Sequence, residues 1–385
     1  MIPDQSPSLA RDPRQFPELE WQSRFRGCFL GGAVGDALGA PVEFLSRKQI
    51  LQEFGDSGIR DFKVAYGRLG AITDDTQMAL FTAEGVLRAY IRAATRGICN
   101  PTSVIANAYL RWLHTQGVAH QRHVYCLNGW LIAQRDLFAS RAPGRTCIGA
   151  LVALENPGSP ATNDSKGCGG VMRVAPIGMM FAGSSRNRKS ECEDNLGQAF
   201  ELGCDAAGVT HGHPTGKLAS GAFAALIFLL MQGKPLKDAV EVTLEILQKN
   251  EGHEETSRAI QHAFQLAENQ PGDPDVLRLL GEGWIAEEAL AIGLYCALGA
   301  KDFESGVVLA VNHSGDSDST GLIAGHILGA IYGESSIPLR WLEPLELRDV
   351  ICEVANDLAT CGQWDLDCMS DYSELDFYAK RYPPG

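Results

Sequence analysis

The sequence predicts an all-α fold built as one large domain, and three observations carry that expectation. Apolar residues recur every three to four positions through most of the 385-residue chain, the period of a helix with a buried stripe, and strand-type alternation is nearly absent. Helix punctuation is frequent: Asn100-Pro101 supplies an N-cap with proline in the first turn, and the ENQPGDPD run breaks the pattern at 268–275. Two apolar helices carry glycine at every fourth position, Gly27, Gly31, Gly35 and Gly39 in one, and Gly321, Gly325, Gly329 and Gly333 in the other. With 45% hydrophobic and 21% charged residues there is ample material for a core, and no fixed-period repeat points to a solenoid.

In chain order, residues 1–20 are polar with four prolines and read as an extended arm, with the folded domain over 21–385. Trp21–Ala40 follows as the first glycine-striped helix. Each mid-helix glycine costs about 0.5–1 kcal/mol against alanine, so eight cost on the order of 4–8 kcal/mol, which close packing must offset. Four-residue spacing puts each set on one stripe, so both helices are expected at the centre of the fold and against each other, which would bring Asp36 near Asp316 and Asp318. Further helices are expected at 76–96, 101–116, 128–140, 196–208, 215–232, 235–250, 255–269, 284–298, 301–312 and 345–360, with loops at 155–170 and 183–195. The most apolar run, between Lys217 and Lys234, is short for a membrane span and reads as a buried helix.

A net charge of −14 disfavours duplex nucleic acid as a partner, since that affinity depends on Lys and Arg neutralising phosphates. The eleven cysteines form no CxxC pair and suit free thiols in a reducing compartment. The first residues lack a basic stretch followed by an apolar core, so no secretory leader and no membrane partner are expected, and the reading is cytoplasmic.

The stretch that organises the chemistry is Asn312–Thr320, NHSGDSDST, where Asp316 and Asp318 stand at the start of the second glycine-striped helix. Ala71–Thr76, AITDDT, repeats the logic at another helix start with Asp74 and Asp75. Adjacent carboxylates repel, and ionising both in a partly buried place is costly without a cation. The two clusters therefore read as halves of one oxygen-lined site suited to Mg²⁺ or Mn²⁺. Glu43, just past Pro41, reads either as a solvated surface acid or as an acid hovering over that site. Ser165–Pro176, SKGCGGVMRVAP, has glycines that allow a ligand close to the backbone and an arginine, Arg173, able to pair with carboxylate or phosphate; it is neither a Walker loop nor a dinucleotide fingerprint. In Thr210–Gly216, THGHPTG, His211 suits a hydrogen bond to a ligand, and the oxygen-rich clusters argue against zinc. Trp284 reads as core more readily than as an aromatic platform.

Taken together and in this order, GCFLGGAVGDALGAPVE (27–43), ITDDT (72–76), GCGGVMRVAP (167–176), THGHPTG (210–216) and GDSDSTGLIAG (315–325) resemble the ADP-ribosylglycohydrolase family. The resemblance implies a single compact orthogonal helical bundle holding two Mg²⁺ ions, with Mn²⁺ as the alternative. It places the family's metal ligands on Thr73, Asp74, Asp75, Asp316, Asp318 and Ser319, with Thr320 next to the last as a competing hydroxyl. It places substrate contacts on Asp36, on Ser165, Lys166, Gly167, Gly169, Gly170 and Met172 of the glycine-rich stretch, and on His211; Cys168 stands where some members have asparagine. Asp75, Glu43 and Asp316 become the catalytic candidates, with Asp75 or Glu43 accepting the proton of the attacking water. The implied activity is hydrolysis of ADP-ribose from a protein side chain, arginine foremost, with serine or O-acetyl-ADP-ribose as alternatives. The implied partners are an ADP-ribosylated protein, ADP-ribose and, through the N-terminal arm of an immunity-type protein, a cognate ADP-ribosyltransferase. A non-catalytic ADP-ribose binder and a metal phosphohydrolase are the competing classes. The first is disfavoured because the acidic residues are all present, the second because neither a His-Asp doublet nor a Nudix-like glutamate box occurs.

Overall fold

A computed structural model describes residues 16–119, 127–186, 192–370 and 373–384. Within these the chain forms α1 (Glu18–Gly39), α2 (Arg47–Phe54), a short antiparallel hairpin β1 (Val64–Ala65) and β2 (Arg68–Leu69), α3 (Asp74–Arg96), α4 (Pro101–Thr115), α5 (Arg145–Ala153), α6 (Ala175–Ser185), α7 (Cys192–Gly208) and α8 (Pro214–Met231). It continues with α9 (Leu236–Leu247), α10 (Glu254–Asn269), α11 (Ala286–Leu298), α12 (Phe303–Val311), α13 (Ser317–Tyr332), α14 (Leu339–Leu342), α15 (Arg348–Thr360) and α16 (Leu375–Arg381). The all-α expectation holds; two residues per strand make no sheet of consequence.

The glycine stripes meet as expected, and they set the centre of the fold. A Cβ built on Gly321 would lie 2.5 Å from the backbone O of Gly35, and one on Gly27 would lie 2.6 Å from the backbone O of Gly329. Glycine is required because at seven of the eight positions the neighbour is backbone, which cannot rotate away; the eighth, Gly333, ends α13 at φ +76°. Around this seam α3, α6, α8, α11, α12 and α15 pack in a ring. The apolar α8 is almost wholly buried within it, as read from its composition.

Two expectations need correction. Residues 128–140 do not form an α-helix; they make two 3₁₀ turns, Leu131–Ala133 and Arg135–Leu137. Gly129 at φ +99° and extended Gln134 interrupt the helical path; Leu131 and Leu137 are buried in the core, with Trp130 and Ile132 packed against it. The arm is also shorter than read. Phe16 is buried, its carbonyl accepts from Arg186 (3.0 Å), and α1 begins at Glu18, so residues 16–20 are docked; residues 1–15 lie outside the described residues. Helices α2, α5 and α6 were not anticipated. The first two are only eight and nine residues long, too short for a clear period, and α6 is buried on all sides and shows no polar face.

Candidate active site

The α1–α13 seam ends at the site. Thr73 caps α3, its hydroxyl accepting from Asp75 N–H (3.3 Å), and Asp316 caps α13, its carboxylate accepting from Ser319 N–H (3.3 Å). Asp74, Asp75, Asp316 and Asp318 therefore stand in or beside two helix N-termini, where partial positive charge favours carboxylates. Gly315, at φ +120° with the Glu282 backbone pressed against the place of its missing Cβ, makes the turn that swings Asp316 into position. Asp316 N–H then donates to Glu282 O (2.8 Å).

The two clusters, some 240 positions apart in sequence, converge on one cleft of about 570 Å³. Glu43, Asp74, Asp75, Cys168, Gly169, Met172, Asp316, Asp318 and Ser319 are among its lining residues. Ser319 Oγ of α13 donates to Asp75 Oδ2 of α3 (2.6 Å), tying the two acidic clusters together. Thr320 is spoken for elsewhere: its hydroxyl lies within 2.9 Å of Ala310 O, Asp316 O and His313 Nε2, so Ser319 is the hydroxyl that faces the cleft. Glu43 is 8% exposed, which removes the solvated-acid reading, and its Oε2 is buried with no hydrogen-bond partner.

Burial and mutual repulsion dominate the electrostatics. Burial, then the charge of Asp318, pushes Asp36 up to about 7. Burial, then Asp318 and Asp316, pushes Glu43 up to about 10. Asp74 and Asp75 are raised for the same two reasons, burial and then Asp318; Asp316 and Asp318 are raised chiefly by burial. Among the described residues no Lys or Arg forms an ion pair with any of these six groups. Also among the described residues, no three carboxylate, imidazole or thiol groups are already drawn into a ligand shell. The donor set nevertheless fits a hard divalent cation: crowded carboxylate and hydroxyl oxygens, an orphaned Glu43 oxygen and, among the described residues, no basic side chain in an ion pair with them.

The other sequence candidates fall in different places. Asp36 is fully buried and anchors α3, accepting from Thr73 N–H (3.0 Å), Thr76 N–H (3.2 Å) and the Thr76 hydroxyl (2.5 Å). Lys166 is tied to Glu255 and Glu287, at 2.7 and 2.6 Å, and Ser165 Oγ accepts from Gly167 N–H. The Cys168 N–H is given to Trp284 O (3.1 Å), so not every amide of the glycine-rich loop is open to a ligand. Cys168 Sγ donates to Asp316 Oδ2 (2.8 Å), and burial holds the thiol protonated. Arg173 faces away from the cleft: fully buried over Tyr109, it donates to Ala206 O and Thr210 Oγ1. Thr210 Oγ1, which accepts from Arg173, also lies 2.8 Å from His211 Nδ1 and 3.4 Å from Ala207 O, and His211 Nε2 stands beside Gly167 and Gly169. Burial, helped by Arg173, lowers His211 to about 3, so the ring is neutral. His213 caps α8.

Sequence reading missed a bracket around Asp74. Arg141 pairs with Glu346 at 2.6 and 2.8 Å, both nearly buried, and Glu346 also accepts from Ile72 N–H (3.1 Å). Asp74 N–H donates to Arg141 O, and Asp74 Oδ2 accepts from Gly144 N–H (3.2 Å). Tyr66, Ala142 and Leu347, three non-glycine residues at positive φ, all flank this bracket. Lone charges in loops give no sequence signal; only contact across 205 positions reveals the pair. Trp284 lines the cleft mouth, partly exposed, and is not core.

A helical bundle in which α3 and α13 deliver carboxylates from their N-termini to one cleft has the class of an all-α hydrolase. The chain belongs to the ADP-ribosylglycohydrolase family, whose profile matches residues 17–366. It is 26% identical over 333 residues to the ADP-ribosyl-[dinitrogen reductase] glycohydrolase of Rhodospirillum rubrum, covering 84% of this chain and 91% of that protein. It is 25% identical over 369 residues to the ADP-ribosylarginine hydrolase Tri1 of Pseudomonas putida (strain GB-1), covering 93% and 82%. A solved structure described as an ADP-ribosylglycohydrolase-related protein complex superposes with a TM-score of 0.63 at 29% identity, over 89% of this chain and 99% of that one. The protein is thus a hydrolase of ADP-ribosylated substrates.

Proposed function

We propose that the protein removes ADP-ribose from a modified arginine side chain in a reaction that depends on divalent cations. The observation that carries this reading is the convergence of Asp74 and Asp75 with Asp316 and Asp318 on one cleft, beneath a buried and unpartnered Glu43. The names of the Rhodospirillum and Pseudomonas relatives support the linkage. Thr73, Asp74, Asp75, Asp316, Asp318 and Ser319 would hold two Mg²⁺ ions, with Mn²⁺ as the alternative. Such ions, when bound, orient hydroxyl groups and make water a better nucleophile near neutral pH.

The chain's own residues supply the rest. Asp75, oriented by Ser319, is placed to accept a water proton, and Glu43 is the second candidate from above the cleft. In cation-free protein Glu43, pushed up to about 10, holds its own proton; positive charge beside it would restore the carboxylate a base requires. Cleavage at the ribose anomeric carbon develops positive charge in an oxocarbenium-like state, which the surrounding carboxylates stabilise. Protonated at Nε2, the neutral His211 beside the Gly167–Gly170 turn would offer a donor to a phosphate oxygen. The test is purified protein with Mg²⁺ or Mn²⁺, given arginine- and serine-ADP-ribosylated proteins side by side. Release of free ADP-ribose from the arginine-linked substrate is expected. Release from serine alone would overturn the acceptor, and inorganic phosphate as product would overturn the reaction class.

A further inference from the structure

The cleft mouth carries two rings that this chemistry does not use. Phe44 is 70% exposed and Trp284 39%, so neither serves the core, yet they stack on each other with centroids 5.9 Å apart and planes inclined by 18°. Their placement is fixed from behind. Phe44 directly follows Glu43 on the turn leaving α1, and Trp284 is held where its carbonyl accepts from Cys168 and where Ile285 bridges to Gly167. Both line the same cleft as the acidic floor. Five of the six charged side chains lining that cleft are carboxylates; the exception, Arg145, opens α5 and also lines a neighbouring cavity of about 610 Å³.

An exposed ring face attracts a cation, and it favours one that is flat and weakly hydrated over a compact, strongly hydrated ammonium. A guanidinium has that form. A serine oxygen or an acetyl ester brings neither a plane nor a charge. We propose that Phe44 and Trp284 form the acceptor-side specificity element, a stacking platform for the guanidinium of the modified arginine and of the arginine released. This rests on the reading of the cleft given above and deepens it by naming what selects the linkage.

The experiment uses the full chain and two probes of equal shape, agmatine and its neutral-headed urea analogue N-carbamoylputrescine, followed by calorimetry and tryptophan fluorescence. The wild-type protein is expected to prefer agmatine by about 5-fold or more. Trp284→Ala and Phe44→Ala are expected to abolish that preference, and Trp284→Phe, which keeps a ring face, to retain most of it. The affinity for ADP-ribose is expected to stay within about twofold in all three variants, as for groups that do not touch. Equal binding of the two probes by the wild type, or an undiminished preference in Trp284→Ala, would overturn the platform alone. A wild-type protein that binds no ADP-ribose would overturn the reading of the cleft, and the platform with it.

Discussion

Gly325→Ala tests the seam that aligns the two acidic clusters. The added Cβ would lie 2.5 Å from the carbonyl carbon of Gly31 and closer still to its oxygen, where ordinary contact begins at 3.4 Å, so the helices must part by about 1 Å. The obstacle is backbone on a helix that is itself buried, and no rotamer change relieves it. Overpacking of this kind costs about 1–3 kcal/mol or more. Alanine's better helix propensity returns up to about 1 kcal/mol. A net loss of about 1–2 kcal/mol is expected, which at the unfolding entropy of a 385-residue chain lowers Tm by about 1–3 °C. Gly197→Ala is the control. Gly197 lies in α7 with no neighbouring atom within 4 Å of its Cβ position, so there the propensity term acts alone, and Tm should rise by about 1 °C. The assay is thermal unfolding of both variants beside wild type, at one pH and one cation concentration. If Gly325→Ala is as stable as Gly197→Ala, the helices are not in backbone contact and the argument for the seam fails.

Cation-free protein should lose stability as pH rises. Asp36 and Glu43 have folded-state pKa values above those of an unfolded chain, so the folded form holds extra protons, and stability present below about pH 4 drains away toward 7 for Asp36 and toward 10 for Glu43. Tm measured in EDTA should therefore fall from pH 5.5 to 8.5, and saturating Mg²⁺ should remove most of the fall; a Tm that climbs over that range in EDTA would contradict the electrostatic account. Glu346→Ala strands Arg141 nearly buried without its carboxylate, and breaking such a pair costs about 3–5 kcal/mol. The same substitution should lower kcat by loosening the segment that carries Asp74, so an unchanged kcat would show that the bracket is structural only. Ser319→Ala should weaken cation binding and hydrolysis, whereas Thr320→Ser, which keeps the buried hydroxyl bonds, should do neither; the reverse order in a metal titration would reassign the hydroxyl.

What was legible follows from what leaves a local trace. Glycine at every fourth position is costly in a helix interior, so two such stripes announced a seam, and the carboxylates at both helix starts announced the site. Glu43 was ambiguous because a single acid after Pro41 looks the same whether the turn folds over the cleft or away from it. Arg173 was misread for a related reason. An arginine in a glycine-rich loop suits a phosphate, but burial over Tyr109 turns it onto Ala206 O and the Thr210 hydroxyl beside His211. The Arg141–Glu346 bracket and the Phe44–Trp284 pair join residues more than 200 positions apart, and neither end is patterned.

The central proposal is that distant carboxylates share bound cations above which the N-glycosidic bond between ribose and the arginine side chain is cut. Mn²⁺ titration by calorimetry, run alongside ADP-ribosylarginine hydrolysis in the same samples, tests it most directly. The account predicts two ions per wild-type chain, loss of binding and of hydrolysis together in Asp75→Ala and in Asp316→Ala while both variants remain folded, and no turnover in EDTA. Full hydrolysis in EDTA, or wild-type Mn²⁺ binding in either variant, would contradict it.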